Sequence, residues 1–412
     1  MADNRPSHRV SNRARHIVGD SKVAPYVIEH IARTADRTSD GRYLSLAVAE
    51  NHLMWDLIDE HANARRGVGP AAFSYSDMRG APPFREAVAA MLGSHLFGVP
   101  VDPASLVMMS GAGTVIESLV WSLVDPGGAV VVPTPSYMGY WNDIESRAGV
   151  RAIPAHTRAE DDFRITPGLL SEVERATEGG LDALLLTNPS NPLGRTLTRA
   201  ELVGAIEWAR ERSIPVIMNE IYGLSTHEGH SFTSAATVLG GFPHDVHFVW
   251  ALSKDFAASG LRCGIAVTTN EPVHAAMMEL LYFSAVSGDT QHLVTTMLSD
   301  EPWLERYLTT LQLRLTASDH AARAVLHDHA IATVPGDAGI FLLADFRPFL
   351  NAPTWEAEHD LWRTILDRAD VNLTPGSACR VSEPGFMRIC HASAATEVVE
   401  EGLARAVAAI SA

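Results

Sequence analysis

The stretch Val246-His247-Phe248-Val249-Trp250-Ala251-Leu252-Ser253-Lys254-Asp255 does most to decide the fold of this chain. Its almost continuous apolar run, Val246 to Leu252, predicts a strand that is buried on both faces. A lysine that a buried strand delivers into a cleft loses hydration, so its pKa falls and it can attack an aldehyde and hold it as an imine. An arbitrary lysine is usually a solvated surface residue. The surrounding sequence therefore has to support a role for Lys254.

Other apolar runs alternate with helical stretches on both sides of this strand. The predicted strands are Leu106–Met109, Ala129–Val132, Ala183–Thr187, Pro215–Asn219, Val246–Ala251 and Gly264–Thr268. Such alternation predicts a mostly parallel sheet covered by helices. Ligands of these sheets bind outside the carboxyl ends of the strands.

The two ends of the chain have a different, α+β pattern. The predicted elements there are a helix at Ala24–Ala35, a strand at Tyr43–Ala49, a helix at Trp303–His327, strands near Ile331–Val334 and Gly339–Ala344, a helix at Thr354–Arg368, strands at Val371–Thr374 and Phe386–His391, and a terminal helix. We predict an N-terminal arm over residues 1–23, a small domain from residues 24–60 and 301–412, and a large domain over residues 61–300.

Composition narrows the possible functions. The 412 residues have a formal net charge of −17, which opposes a nucleic-acid partner because phosphate binding needs clustered Lys and Arg. The three cysteines, Cys263, Cys379 and Cys390, form no C-x-x-C pair, so they predict neither a zinc site nor a disulfide framework. They fit a reducing, cytoplasmic compartment. No secretory signal and no apolar run long enough for a membrane span is recognised.

Several polar motifs follow the predicted strands. Thr187–Gly194 (TNPSNPLG) exposes Asn191 in a proline-bounded turn, although a plain Asn/Pro turn has the same chemistry. Ser110–Thr114 (SGAGT) opens a helix whose free N–H groups can bind a phosphate. Arg262 lies eight residues after Lys254 and can grip a phosphate bidentately.

Two further features can be interpreted in more than one way. Arg388 lies within the apolar strand Phe386–Cys390 and needs an anionic partner, either a ligand or an internal salt bridge. His227 and His230 are three residues apart, a spacing that could ligate a metal on a helix. Gly229 lies between them and no helical pattern surrounds them, so a solvated loop is predicted and no metal site is expected.

Taken together in chain order, these motifs resemble the class I/II aminotransferase family of fold-type-I enzymes that use pyridoxal phosphate (PLP). Within it the sequence looks most like the 1-aminocyclopropane-1-carboxylate (ACC) synthases. The likeness is carried by Ala49–Ile58 (AENHLMWDLI), Pro133–Tyr140 (PTPSYMGY), Pro375–Ser377 (PGS) and Glu383–Cys390 (EPGFMRIC). The resemblance implies a mostly parallel seven-stranded sheet covered by helices, plus a smaller α+β domain, and a homodimer.

The resemblance also implies roles for individual residues. Lys254 would carry PLP and move the α-proton, while Arg388, Glu50 and Tyr140 would contact the substrate. The residues that would bind the cofactor are Ala112, Gly113, Thr114, Tyr137, Asn191, Asn219, Tyr222, Lys254 and Arg262. Tyr222 and Glu50 are expected to act in catalysis as well, and Glu50 matches the acidic residue that ACC synthases place near S-adenosylmethionine.

Three positions depart from the family pattern. Asn219 replaces an aspartate that keeps the pyridine nitrogen protonated, and a neutral amide cannot supply that charge, so the cofactor should be a weaker electron sink. Ala251 replaces a phosphate-binding serine. Met78 replaces a tyrosine donated by the partner subunit, for which Tyr75, Ser76 or Arg79 could substitute.

The resemblance leaves three functions open. The first is a lyase or transferase acting on S-adenosylmethionine by α-deprotonation and γ-elimination of methylthioadenosine. Ring closure would follow, or carbon–carbon bond formation with a second substrate such as a keto acid or a pyridine nucleotide, as in natural-product biosynthesis. The second is an aminotransferase of a small or aromatic amino acid. The third is an inactive PLP-binding relative.

Overall fold

The structure is a computed structural model that describes residues 10–19, 23–35, 41–64 and 66–411. Residues 1–9 and 20–22 of the predicted arm lie outside the described residues. Residues 12–19 form a helix.

The described residues form strands and helices in a regular alternation between residues 106 and 298. The strands are β1 (Leu44–Ser45), β2 (Leu106–Met109), β3 (Ala129–Thr134), β4 (Arg151–His156), β5 (Ala183–Thr187), β6 (Val216–Asn219), β7 (Val246–Ala251), β8 (Gly264–Val267), β9 (Ala332–Thr333), β10 (Phe341–Asp345), β11 (Val371–Asn372), β12 (Thr374–Pro375) and β13 (Phe386–Cys390). The α-helices are α1 (Asn12–Gly19), α2 (Pro25–Ala35), α3 (Trp55–Asp59), α4 (Pro82–Met91), α5 (Ala112–Leu123), α6 (Tyr140–Glu145), α7 (Pro167–Ala176), α8 (Arg199–Arg210), α9 (Ala235–Leu239), α10 (Leu252–Asp255), α11 (Glu271–Leu280), α12 (Gly288–Leu298), α13 (Glu301–Asp328), α14 (Trp355–Ala369) and α15 (Thr396–Ser411). Turns of π-helix follow α3 at Glu60–Ala64 and α4 at Leu92–Phe97.

A seven-stranded sheet organises the middle of the chain, in the order β2-β8-β7-β6-β5-β3-β4. Only β8 runs antiparallel to its neighbours. Alternate residues of β3 enter two different cores: Val131 packs on one face, and Val130 and Val132 pack on the other. Burial of both faces explains the continuous apolar runs of the sequence. The predicted fold class, a mostly parallel seven-stranded sheet covered by helices, is confirmed.

The edge strand β4 was not predicted from the sequence. Its residues, Arg151 to His156, include Arg, Pro and His, and it pairs on one side only, with β3. An edge strand tolerates proline and polar residues because one row of its backbone groups faces away from the sheet. The apolar-run criterion therefore misses such a strand. The strand predicted at Tyr43–Ala49 is also shorter than expected, since only Leu44 and Ser45 pair with β11.

The ends of the chain share a second core. Tyr26 and Leu46 pack with Leu342, Trp362 and residues of α15. The sheet here has the order β12-β13-β10-β9 and is antiparallel. This α+β arrangement matches the predicted smaller unit, whereas the predicted domain limits stay a prediction. Within the described ranges, none of the helices is long and apolar enough to cross a membrane.

Candidate active site

The carboxyl ends of β3, β5, β6 and β7 meet at one edge of the large sheet and enclose a cavity of about 130 Å³. Nine of the residues singled out in the sequence line it: Ala112, Gly113, Tyr137, Tyr140, Asn191, Asn219, Tyr222, Lys254 and Arg262. Thr114, Glu50 and Arg388 do not line it, although Glu50 and Arg388 contact residues that do.

Lys254 reaches the cavity from α10, the single helical turn that follows β7. Its Nζ donates to the carbonyl oxygen of Ala49 at 2.5 Å. Burial lowers the pKa of Lys254 from 10.5 to about 8, while the nearby Glu50 charge opposes this shift. The neighbouring Asp255 is buried and accepts from Trp250 Nε1 at 2.8 Å and Ser225 Oγ at 2.6 Å, which anchors the turn. A buried amine of lowered pKa is suited to imine formation.

One end of the cavity is built for an anion. Gly111 has a φ of 95°, and a side chain there would overlap the Arg262 guanidinium. The backbone of the first turn of α5 therefore comes close to a cation, and this is a favourable place for a phosphate. Thr114 does not line the cavity, and its hydroxyl donates to the Ser110 carbonyl at 3.1 Å. Ser253 lines the cavity, whereas Ala251 does not line it and has no hydroxyl.

Asn219 also lines the cavity, in a neutral and satisfied network. Its Oδ1 accepts from the backbone N–H of Ile221 at 3.2 Å, which fixes the orientation of the amide because a backbone N–H can only donate. Its Nδ2 donates to the Tyr140 hydroxyl at 2.7 Å, and that hydroxyl lies 2.6 Å from Thr187 Oγ1. Burial raises the pKa of Tyr140, so the network carries no charge.

Asn191 joins the cavity to Arg388. Its Nδ2 donates to the Tyr222 hydroxyl at 3.2 Å, and its Oδ1 accepts from Arg388 Nη1 at 3.1 Å. Burial raises the pKa of Tyr222, which stays protonated. Asn191 is therefore held by side-chain contacts that a plain Asn/Pro turn does not require.

Arg388 is buried without an internal salt bridge. Its Nη2 donates to the Ala47 carbonyl at 2.5 Å and to Thr374 Oγ1 at 3.1 Å, and its Nε has no partner. Within the described part of the chain, no carboxylate lies within 4.0 Å of its guanidinium. A buried cation with no internal counter-charge has capacity for an anionic ligand.

Glu50 lies beside the same cavity. Its Oε1 accepts from Ser259 Oγ at 2.7 Å, and its Oε2 lies 3.2 Å from His52 Nε2. The hydrogen bond from His52 contributes most to lowering the Glu50 pKa to about 2. Glu50 is therefore ionised at neutral pH and adds a negative charge close to Lys254.

Tyr137 contributes an aromatic wall that is still 40% exposed. Its ring meets the Tyr140 ring edge-on, with centroids 5.3 Å apart. Met78 and Tyr75 are exposed and neither lines the cavity of its own chain. Arg79 is engaged by Asp77.

Two polar cavity residues, Asp143 and Ser259, were not identified from the sequence. Asp143 lies three residues after Tyr140 on α6, so helical spacing could have found it. Burial raises its pKa to about 7, and its Oδ2 has no partner. Ser259, in the turn between Lys254 and Arg262, carried no signal of its own, because its importance comes from its contact with Glu50.

The prediction of a solvated loop is wrong for His227. This side chain is 4% exposed, and its backbone N–H donates to the Asp337 carbonyl at 2.9 Å. His230 is exposed, as predicted. Pairing of residues 226 and 338 draws the loop into the interior, and no local pattern signals this long-range contact.

Comparison with known proteins places the chain in a family. The model of the class I and II aminotransferase family matches residues 43–406. The chain is 34% identical over 373 residues to a 1-aminocyclopropane-1-carboxylate synthase of Malus domestica, a match that covers 85% of this chain and 79% of the relative. It is 34% identical over 391 residues to 1-aminocyclopropane-1-carboxylate synthase 2 of Oryza sativa subsp. japonica, covering 90% and 80%.

Solved structures show the same fold at lower identity. An aspartate aminotransferase from Thermus thermophilus superposes with a TM-score of 0.84 and 21% identity, over 98% of this chain and 100% of that chain. An aspartate aminotransferase from Thermotoga maritima gives a TM-score of 0.80 at 22% identity, over 98% and 100%.

The chain belongs to the class I and II aminotransferase family and is PLP-dependent. The cavity is chemically suited to this cofactor, because it combines a buried amine of lowered pKa with a close approach of backbone and guanidinium at the end that can receive a phosphate.

Proposed function

We propose that this protein is a PLP-dependent lyase or transferase that acts on S-adenosylmethionine and releases methylthioadenosine. The observation that carries the proposal is Glu50, an ionised carboxylate held by Ser259 beside the Lys254 amine. A fixed anion there suits a substrate whose side chain bears a sulfonium cation. The identity to ACC synthases over most of the chain supports the same substrate.

Each residue has a role in this proposal that follows from its contacts. When bound, PLP withdraws electrons from the α-carbon of the amino acid that it carries. Arg388 binds the substrate carboxylate, since it is buried and has no counter-charge within hydrogen-bonding reach in the described chain. Lys254 holds the cofactor and then takes the α-proton, for which a pKa of about 8 is well matched.

The remaining cavity residues hold the cofactor. Arg262, with Ala112 and Gly113, binds its phosphate, and Tyr137 stacks on its ring. Asn191 and Tyr222 donate to its phenolate oxygen from the positions fixed by their mutual hydrogen bond. Thr114 contributes through the first turn of α5 rather than through its hydroxyl.

The neutral Asn219 network favours this chemistry over ordinary transamination. Transamination depends on full delocalisation of the α-carbanion into the ring, which a nearby carboxylate promotes and an amide does not. Departure of methylthioadenosine from the γ-carbon can instead accept the electron pair of the α-carbon, so less delocalisation into the ring is needed. The product then arises by ring closure or by bond formation with a second substrate, for which a keto acid and a pyridine nucleotide are the candidates, consistent with a role in natural-product biosynthesis.

We further propose that the enzyme is a cytoplasmic homodimer. Phe73, Tyr75, Tyr282 and Phe283 are large side chains that are at least two-thirds exposed. Tyr282 and Phe283 directly precede Ser284, whose carbonyl accepts from the backbone of Ser110 at the anionic end of the cavity. A partner subunit that covers Tyr282 and Phe283 would therefore lie close to the end of the cavity that can receive a phosphate.

The experiment incubates the PLP-loaded enzyme with S-adenosylmethionine, alone and with keto acids or pyridine nucleotides, and measures methylthioadenosine by mass spectrometry. We expect release by the wild type and a loss on the order of 10³-fold or more in Lys254→Ala, which lacks the nucleophilic amine. Glu50→Gln should raise KM for S-adenosylmethionine, whereas the matched surface variant Glu60→Gln should not. No methylthioadenosine under any condition, together with loss of the imine absorbance on adding an amino donor, would instead show an aminotransferase.

A further inference from the structure

A second cluster of ionisable side chains lies apart from the cavity. His227, Asp319 and His391 are 4%, 2% and 0% exposed, and their ligand-type atoms lie within 4.8 Å of one another. His227 Nδ1 is 3.9 Å from Asp319 Oδ2, and His391 Nε2 is 3.9 Å from Asp319 Oδ1. These separations are too long for hydrogen bonds. None of the three residues lines the Lys254 cavity.

The hydrogen bonds around the cluster show which atoms are free to bind. His227 Nε2 lies 3.3 Å from the Gly339 carbonyl and donates to it, which leaves a lone pair on Nδ1. Neither ring nitrogen of His391 has a partner, nor has Asp319 Oδ1. Burial lowers the pKa of both imidazoles, that of His391 to about 3, so both are neutral. His227 therefore directs a lone pair toward the Asp319 carboxylate, and His391 holds one lone pair and one N–H without a partner, so the cluster contains buried polar atoms that a bound cation would satisfy.

We propose that His227, Asp319 and His391 bind a divalent transition-metal cation of the zinc class. Two imidazoles and one carboxylate are a ligand set that such cations prefer. Metal–ligand bonds of about 2.0–2.1 Å place the ligand atoms of a tetrahedral site about 3.4 Å apart. The two separations of 3.9 Å would have to shorten by about half an ångström, and a separation at the 4.8 Å limit by about 1.4 Å. The fourth position is left for a water molecule.

The surroundings support the three ligands. Arg323 Nε donates to Asp319 Oδ2 at 2.7 Å and orients the carboxylate, and the Gly339 carbonyl orients the His227 ring. Hydrogen bonds from ligands to outer groups of this kind are usual at metal sites. Ser318 Oγ also donates to the His391 carbonyl at 2.5 Å, which joins α13 to the end of β13.

The location of the cluster indicates a structural role. His227 comes from the loop that follows Tyr222, Asp319 lies on α13, and His391 follows β13 three residues after Arg388. A cation bound there would tie together the segments that carry Tyr222 and Arg388. The burial of all three ligands leaves no access for a substrate, so a bound cation would join these segments and take no part in a reaction.

The test measures metal content in untagged, PLP-loaded protein that is supplied with zinc and then freed of loose metal by gel filtration. We expect about one equivalent per chain in the wild type and a loss of most of it in His391→Phe, His227→Phe and Asp319→Asn. His230→Phe, which removes an exposed histidine of the same loop, is the matched control and should keep the metal. Stripping the metal should lower the Tm of the wild type but not that of Asp319→Asn.

A second measurement covers the case in which the variants do not fold. X-ray absorption at the zinc edge of the wild type should show two imidazoles and oxygen at about 2.0–2.1 Å. Wild-type protein that holds no metal after loading would mean a buried water only and would overturn the proposal. Zinc retained in His391→Phe, or a zinc spectrum without imidazole scattering, would also overturn it. None of these results depends on the proposed reaction.

Discussion

Two regions of the Lys254 site differ in charge: the Asn219 end, which lines the cavity, and the Arg388 end, which borders the cavity through the contact of Arg388 with Asn191. At the Asn219 end, an amide and two hydroxyls satisfy one another and the network is neutral. At the Arg388 end, the guanidinium lacks a counter-charge and Glu50 is ionised beside Lys254. Fixed charge therefore lies where the substrate is proposed to bind, whereas Asn219 offers none to the pyridine ring. The titratable carboxyl group of Asp143, whose pKa burial raises to about 7, also lines the cavity. This difference suggests that the protein positions a charged substrate strongly and activates the cofactor weakly.

The largest effect is expected at the charged end, from Arg388→Gln. If Arg388 binds the substrate carboxylate in a buried site, removing one partner costs about 3–5 kcal/mol, so kcat/KM should fall by about 10²-fold or more, mainly through KM. Steady-state kinetics measure this change, with circular dichroism as a check on folding. Arg363→Gln, a surface variant of the same smaller unit, should match the wild type. An unchanged KM in Arg388→Gln would contradict the assigned role.

The neutral end is tested by Asn219→Asp. A carboxylate there raises the pKa of the pyridine nitrogen and strengthens the electron sink, so exchange of the substrate α-proton in D₂O should accelerate on the order of tenfold. Proton NMR follows the exchange, and the absorbance of the bound cofactor should change its pH dependence. Asn142→Asp adds the same charge on the exposed side of α6 and should have no effect. Equal exchange rates in all three proteins would show that the neutrality of the Asn219 network is irrelevant to catalysis.

The pH dependence of PLP binding tests the pKa of Lys254 and the effect of the Glu50 charge on it. Burial lowers the pKa of Lys254 from 10.5 to about 8, and the neutral amine is the reactive form. The rate at which the cofactor-free protein captures PLP should therefore rise with pH and level off above about 8. Glu50→Gln removes a charge that favours the protonated amine, so its midpoint should move to lower pH. Stopped-flow absorbance measures both profiles, and a midpoint near 10 would contradict the described burial of Lys254.

The smallest effect is expected from Ser259→Ala. This change removes one donor to Glu50 Oε1, worth about 1 kcal/mol, so KM for S-adenosylmethionine should rise about fivefold with little change in kcat. Ser122→Ala on α5 serves as the control. A larger loss in kcat than in KM would indicate that Ser259 contacts the reacting atoms rather than Glu50 alone.

The outcome at individual elements shows what could be predicted from the sequence. The six strands predicted between residues 106 and 268 are present because burial on both faces produces long apolar runs. The edge strand β4 was missed because it is buried less and admits Arg151 and Pro154. The loop around His227 was misjudged because its burial depends on pairing with residue 338, more than a hundred positions away.

By itself, the sequence determined the alternating fold and the family, and it predicted Lys254 as the reactive amine, since these follow from local periodicity and from motifs at strand ends. Only the tertiary structure decided that Arg388 lacks an internal counter-charge, that Ser259 holds Glu50, and that His227 meets Asp319 and His391. Each of these contacts joins residues far apart along the chain. Their distances and burial arise from the packing of whole elements, which no local pattern records.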